Sequence, residues 1–158
     1  VGILHSTHEA KGWATGLAAL ELVHRRVPDL RVLAFGTHPP VEALPDWVTF
    51  SLNPPQEDLV TGIYNQSAVF VQPSRYEGFG FTAVEACAVG TPLVCTNVEP
   101  LPDVVSGKVV FVPPGNPEEL ARGMRAMLEG RYEVIPDRNF SWERAAREYE
   151  AVYGEVVR

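Results

Sequence analysis

Two glutamates, Glu77 and Glu85, stand either side of the run Gly78-Phe79-Gly80-Phe81-Thr82. Glycines just ahead of a helix let the backbone come close to a ligand, because they carry no Cβ to hold it off. The first turn of that helix has N–H groups without intrahelical partners, here those of Phe81 and Thr82, and it carries the positive end of the helix dipole. Together these features hold an anion such as a phosphate without any basic side chain. Glu85 falls about five residues into the helix, roughly 7 Å further along at ~1.5 Å rise per residue. Carboxylates do not bind phosphate; they accept hydrogen bonds from hydroxyls. Acceptors on both sides of a phosphate site suit a molecule with a sugar at each end of a diphosphate, which describes a nucleotide sugar. The pair alone is a weak signal. Among 15 glutamates, roughly one or two such spacings arise by chance, the ordinary false-positive rate of a short motif. The bland alternative is a surface salt bridge beside two turn glycines. Its position directly after an apolar strand favours the chemical reading.

The elements that must hold this segment follow from the hydrophobic pattern. Val1 to His5 is a short apolar strand. Lys11 to Val27 is a helix with Trp13, Leu17, Leu20, Val23 and Val27 on one stripe. Arg31 to Phe35 and Trp47 to Leu52 are the second and third strands, closed by Pro39-Pro40 and Asn53-Pro54-Pro55. Gln56 to Ser67 suits a helix. Ala68 to Val71 is a fourth strand, apolar on both faces, and Phe81 to Val89 a helix. Pro92 to Cys95 and Val109 to Val112 are strands five and six. Asn116-Pro117-Glu118-Glu119 opens a helix with a cap, a proline at its first position and acids in its first turn. Its Leu120, Met124, Met127 and Leu128 are expected to face inward, the two methionines as core filler. Ser141 caps a last helix with the stripe Trp142, Ala145, Ala146, Tyr149, Val152 and Val156.

Strands this apolar, alternating with helices, predict an α/β domain with a parallel sheet covered on both faces. Right-handed crossovers favour a doubly wound, Rossmann-like sheet of six strands in the order 3-2-1-4-5-6. Ligands of such sheets bind beyond the carboxyl ends of the strands, where the strand order reverses. The loop His5 to Lys11 and the loop Gln72 to Gly80 are therefore expected to meet.

The chain has 158 residues, 46% hydrophobic and 21% charged, which suits one globular domain over residues 1–158 and excludes a disordered or fibrous chain. Opening at Val1 rather than Met, it reads as a fragment of a longer protein. No apolar run approaches the ~20 residues of a membrane helix. A net charge of −7 disfavours nucleic acid or an anionic membrane as partner. Cys87 and Cys95 lie in apolar stretches and read as buried thiols in a reducing, cytoplasmic compartment rather than as a disulfide or metal site. No metal and no cofactor is expected. His5 and His8 lie three apart without an evident third ligand.

Tyr76-Glu77-Gly78-Phe79-Gly80, followed by Ala83-Val84-Glu85-Ala86 and Gly90-Thr91-Pro92-Leu93-Val94, resembles the C-terminal, donor-binding domain of retaining GT-B glycosyltransferases of family four, the group 1 glycosyl transferases. The likeness spans nearly the whole chain: Lys11-Gly12, Asp103-Val104-Val105, Val112-Pro113-Pro114-Gly115-Asn116 and Phe140-Ser141-Trp142-Glu143-Arg144 fit its flanking segments. The central motif is highly specific and the flanking ones moderately so. The resemblance implies one half of a GT-B fold and a metal-independent, retaining transfer of a sugar from a nucleotide diphosphate to an acceptor. By position it implies that Glu77 contacts the donor sugar's hydroxyls beside the reacting carbon. The N–H groups of Phe79 and Gly80 would help hold that sugar. Those of Phe81 and Thr82 would meet the diphosphate, and Glu85 the ribose. Lys11 would neutralise the leaving diphosphate, with the base near Leu52-Asn53. It also implies an N-terminal domain, absent from this chain, that carries the acceptor site; the isolated chain would then transfer nothing.

One departure stands out. The family usually carries Gly-Arg ahead of the lysine, where this chain has His5-Ser6. One charge-assisted contact to the diphosphate is missing, worth about 1.5–3 kcal/mol, with His5, His8 or Arg75 as replacements. Two other readings stay open: a nucleotide-sugar-binding module whose catalysis has lapsed, and a sugar-nucleotide epimerase of similar fold. A dinucleotide oxidoreductase is disfavoured, since no Gly-x-Gly-x-x-Gly follows the first strand.

Overall fold

The structure, a computed structural model, describes residues 1–138 and 140–156. Seven strands form one sheet in the order β3-β2-β1-β4-β5-β6-β7. They are β1 (Gly2–Leu4), β2 (Val32–Gly36), β3 (Val48–Leu52), β4 (Phe70–Gln72), β5 (Leu93–Thr96), β6 (Gly107–Val112) and β7 (Glu133–Ile135). The first six pair in parallel, in the order expected from right-handed crossovers. The seventh lies antiparallel on β6, with Gly107 opposite Ile135. Six strands are expected from the sequence. The seventh is three residues long and has no apolar alternation of its own. It pairs with N–H and C=O groups of β6 that would otherwise lie on the sheet edge.

Period-two alternation splits the sheet's side chains between two cores. Ile3, Ala34, Val71 and Val94 pack on one face against Leu20 of α1 (Trp13–His24) and Leu120 and Met124 of α5 (Pro117–Leu128). Phe35, Phe70, Leu93 and Cys95 pack on the other face against Tyr64 and Ala83. That second face is roofed by α3 (Phe81–Ala88) and the short α4 (Leu101–Val104). Both faces of every central strand are therefore buried, which is why those strands read as continuous apolar runs.

Several elements differ from expectation. Lys11 is not in α1: it ends a 3-10 turn, Glu9–Lys11, and Gly12 at φ 68° separates that turn from the helix. The stretch expected as one helix from Gln56 is the short α2 (Gln56–Asp58) followed by a π-helical turn, Leu59–Tyr64, in which Asn65 N–H donates to Val60 O at 3.0 Å. The wider winding brings Ile63 and Tyr64 into the core side by side. In α5 the Asn116 side chain accepts from Glu119 N–H as expected, but Leu128 is 66% exposed rather than inward. Helix α6 (Trp142–Val156) has no buried residue, and its expected stripe lies in solvent. No described helix is long and apolar enough to cross a membrane.

Candidate functional site

The two loops at the switch point meet. The carbonyl of Ala10 accepts from the N–H of Arg75 at 2.7 Å and from that of Tyr76 at 3.3 Å. Gly12 makes this approach possible. A Cβ built on it would lie 2.0 Å from the carbonyl oxygen of Pro73, and its φ of 68° is one that side-chain-bearing residues rarely adopt. Across this contact Lys11 Nζ reaches Glu77 Oε2 at 2.8 Å. Two candidate residues 66 positions apart in sequence are thus joined directly.

Glu77 is held by more than Lys11. Its Oε1 accepts from Gln72 Nε2 at 2.6 Å and from Ser74 Oγ at 2.7 Å. Its side chain is only 2% exposed, against 34% for Lys11. A carboxylate so enclosed is tolerable because donors surround it; without them, burying the charge would be costly. The donors are themselves anchored. Ser74, fully buried, has its carbonyl bonded by Thr96 Oγ1 at 2.6 Å. Gln72 accepts from Thr82 Oγ1 at 2.8 Å. Glu77 therefore sits beneath the loop rather than standing out from it.

The Gly-Phe-Gly turn divides in character. Gly80 caps α3 at φ 89°, which side-chain-bearing residues rarely adopt, and a Cβ there would also lie 2.5 Å from Leu101 Cδ2. Nothing lies within 4 Å of the corresponding point on Gly78, which borders open space. No side chain caps the first turn of α3, which leaves the N–H groups of Phe81 and Thr82 as its natural unpaired donors. The ring of Phe79 packs on those of Phe81 (4.8 Å) and Phe140 (5.3 Å).

Glu85 belongs to a different environment. Its Oε2 accepts from Tyr64 Oη at 2.7 Å. Tyr64 is fully buried, edge-on to Phe70 and Phe35, and its carbonyl accepts from Thr91 Oγ1 at 2.9 Å. Burial first, and then the bond to Glu85, push the Tyr64 hydroxyl well above the ordinary tyrosine range. Asn53 follows β3 at φ 45°, its N–H donating to Gly36 O at 2.7 Å. Asparagine tolerates this left-handed turn better than most residues.

A cavity of about 520 Å³ opens on the α1 side of the loop contact. His5, Ser6, His8, Trp13, Glu42 and Arg75 are among its walls, so the residue standing where the family has arginine and one of its candidate replacements share a space. His5 is 5% exposed and packs edge-on against Trp13 and Phe50; desolvation pushes its pKa below the ordinary histidine value. Sequence reading missed Gln72, Ser74, Thr96 and Tyr64. Gln72 offered a signal, a polar residue closing an apolar strand. Tyr64 offered none, since it lies inside the stretch from Gln56 to Ser67 that reads only as a helix.

A doubly wound domain with its loops joined at the switch point is an architecture of the Rossmann type. The family follows from comparison: the model of glycosyl transferases group 1 matches residues 4–149, and the chain belongs to that family. The O-antigen chain mannosyltransferase B of Escherichia coli is 32% identical over 105 residues, covering 61% of this chain and 27% of that protein. Sucrose-phosphate synthase from Thermosynechococcus elongatus superposes with a TM-score of 0.73 at 24% identity, over 99% of this chain and 45% of that one. The C-terminal domain of a glycosyl transferase group 1 family protein from Francisella tularensis has a TM-score of 0.64 at 18% identity, covering 81% of this chain and 75% of that one. The chain spans about a quarter of the length of the curated relatives it matches first. Its fold is one Rossmann-like half of the GT-B architecture.

Proposed function

We propose that this chain is the donor-binding half of a retaining, metal-independent glycosyltransferase that moves a sugar from a nucleotide-diphosphate sugar to an acceptor hydroxyl. The observation that carries the reading is the 2.8 Å contact between Lys11 and Glu77 where the two switch-point loops meet, one residue type suited to phosphate and one to sugar hydroxyls. The uncapped α3 N-terminus next to it supports the diphosphate's place there, on the N–H groups of Phe81 and Thr82. Phe79 and Gly80 offer backbone N–H groups to the sugar, and Glu85 accepts from the ribose. Arg75 supplies the cation that Ser6 lacks; the cavity wall they share supports this. Lys11 and Arg75 together stabilise the charge that develops on the leaving diphosphate. The acceptor site and the rest of the catalytic apparatus lie in a further domain of the same protein. A reducing, cytoplasmic setting accords with the free thiols of Cys87 and Cys95, both pushed toward the protonated form by burial.

Calorimetric titration with nucleoside diphosphates and their sugar conjugates tests this. Glu85→Ala weakens both ligand classes, because ribose is common to them, and Glu77→Ala weakens only the sugar conjugate. Equal losses for both ligands in both variants would overturn the division. A second reading, a donor-binding module without turnover, is favoured by the Ser6 departure and by the enclosure of Glu77. It predicts no transfer by the full-length protein with any donor, where the first reading predicts transfer that Glu77→Ala abolishes. On either reading the isolated 158-residue chain turns nothing over.

A further inference from the structure

Gln72 is the last residue of β4 and shares a sheet face with Phe70, two residues earlier. Its main chain is fixed by pairing with Cys95, and the residue is 1% exposed. An apolar residue would serve the core there at no desolvation cost, whereas a buried amide is costly unless both its ends are bonded. Both are. Oε1 accepts from Thr82 Oγ1 at 2.8 Å, while Nε2 donates to Ser74 Oγ at 3.0 Å and to Glu77 Oε1 at 2.6 Å. The amide has one sense only, since a flip would turn its oxygen toward the Glu77 carboxylate and its NH2 group toward the Thr82 hydroxyl.

We infer that Gln72 is a positioning residue: it orients Glu77 as a hydroxyl acceptor and links that carboxylate to Thr82 on the first turn of α3, so that the sugar end and the diphosphate end of the donor are read by one connected network. The inference rests on the donor-site reading above and adds to it a residue that touches neither the sugar nor the phosphates. A hydrogen-bonded carboxylate held at one angle discriminates between ligands with and without a hydroxyl to offer; one free to rotate does so less. Loss of Gln72 therefore erodes the preference for a sugar-bearing ligand and spares the binding of the nucleoside diphosphate, whose contacts lie on backbone N–H groups, Lys11, Arg75 and Glu85.

The test compares GDP with GDP-mannose and UDP with UDP-glucose by calorimetry, in the unaltered chain and in Gln72→Met, which keeps the length of the side chain and removes its amide. The expected result is that the preference for the sugar conjugate falls by about tenfold, the worth of one hydrogen bond to a charged group, while nucleoside diphosphate affinity stays within about twofold. Gln72→Glu, close in shape, is the second variant. It sets an acid against Glu77 at neutral pH and abolishes the preference. The preference returns as the pH falls and the added acid takes up a proton to donate to Glu77, with Lys11 still on the far oxygen. A preference that persists in Gln72→Met, or an equal loss for both ligands, overturns the positioning role alone. No preference in the unaltered chain overturns the donor-site reading and this inference with it.

Discussion

The segment from Gln72 to Gly80 and the helix α6 are opposites in how they are held. Beyond Gln72, which ends β4, the first is a loop with no regular structure, yet it is fastened at nearly every residue. Gln72 and Ser74 are buried, Pro73 packs against Gly12, Arg75 and Tyr76 bond to Ala10, and Glu77 accepts from three donors. The second is a regular 15-residue helix with an apolar stripe, and none of its residues is buried; Trp142 is 88% exposed and Tyr149 62%. Regular secondary structure is thus no guide to how many contacts fasten a segment of this chain. Satisfied buried polar groups and close backbone approach do the fastening, and the loop has both.

The sharpest way to break the contrast is to force the loop contact apart. Gly12→Ala places a methyl against the Pro73 carbonyl at a φ that alanine resists. The expected cost is about 2–5 kcal/mol, combining left-handed strain with overpacking, read as a drop in urea midpoint. Gly78→Ala, in the other of the two loops and facing open space, costs under about 0.5 kcal/mol by the same measurement. Similar losses for the two would show that the loops do not meet as described.

Tyr64→Phe comes next. It removes the hydroxyl that Glu85 accepts from while keeping the ring between Phe35 and Phe70. A loss of about 1 kcal/mol in stability is expected from one hydrogen bond. Nucleoside diphosphate affinity should fall severalfold as Glu85 loses its orientation, and unchanged affinity would separate Glu85 from ligand binding.

A smaller effect is a pH dependence carried by His5. Its folded-state pKa is depressed by burial, so the folded chain binds fewer protons than the unfolded one below about pH 6.5, the ordinary histidine value. Stability from this residue is full above that pH and falls as the solution becomes more acid. His5→Phe, which suits a site already edged by Trp13 and Phe50, should flatten the decline in urea midpoint between pH 7.5 and pH 5. An identical decline in both proteins would remove His5 as its source. The smallest effect belongs to α6. Trp142→Ser and Tyr149→Ser should each change the stability of this chain by less than about 0.5 kcal/mol, since both side chains lie largely in solvent. A loss of 2 kcal/mol at either would mean that α6 packs on the sheet after all.

The strand order, the two covered faces, the cap at Asn116 and the meeting of the Lys11 and Glu77 loops were legible in the amino-acid sequence. Each rests on general rules: continuous apolar strands alternating with helices, the handedness of crossovers, and residue types that start and end helices. Other features depended on the folded chain. The sequence marked Glu77 and Glu85 as a pair flanking one site, but it carried no sign that one carboxylate would be enclosed by Lys11, Gln72 and Ser74 and the other tied to a buried tyrosine. Those partners lie from three to 66 residues away. Which side chains share a hydrogen bond is settled only when strands β1, β4 and β5 are laid side by side. The stripe of α6 makes the same point from the other direction: a helix writes its apolar face into its own sequence, whereas burial requires a second surface, and that is a property of the assembled fold.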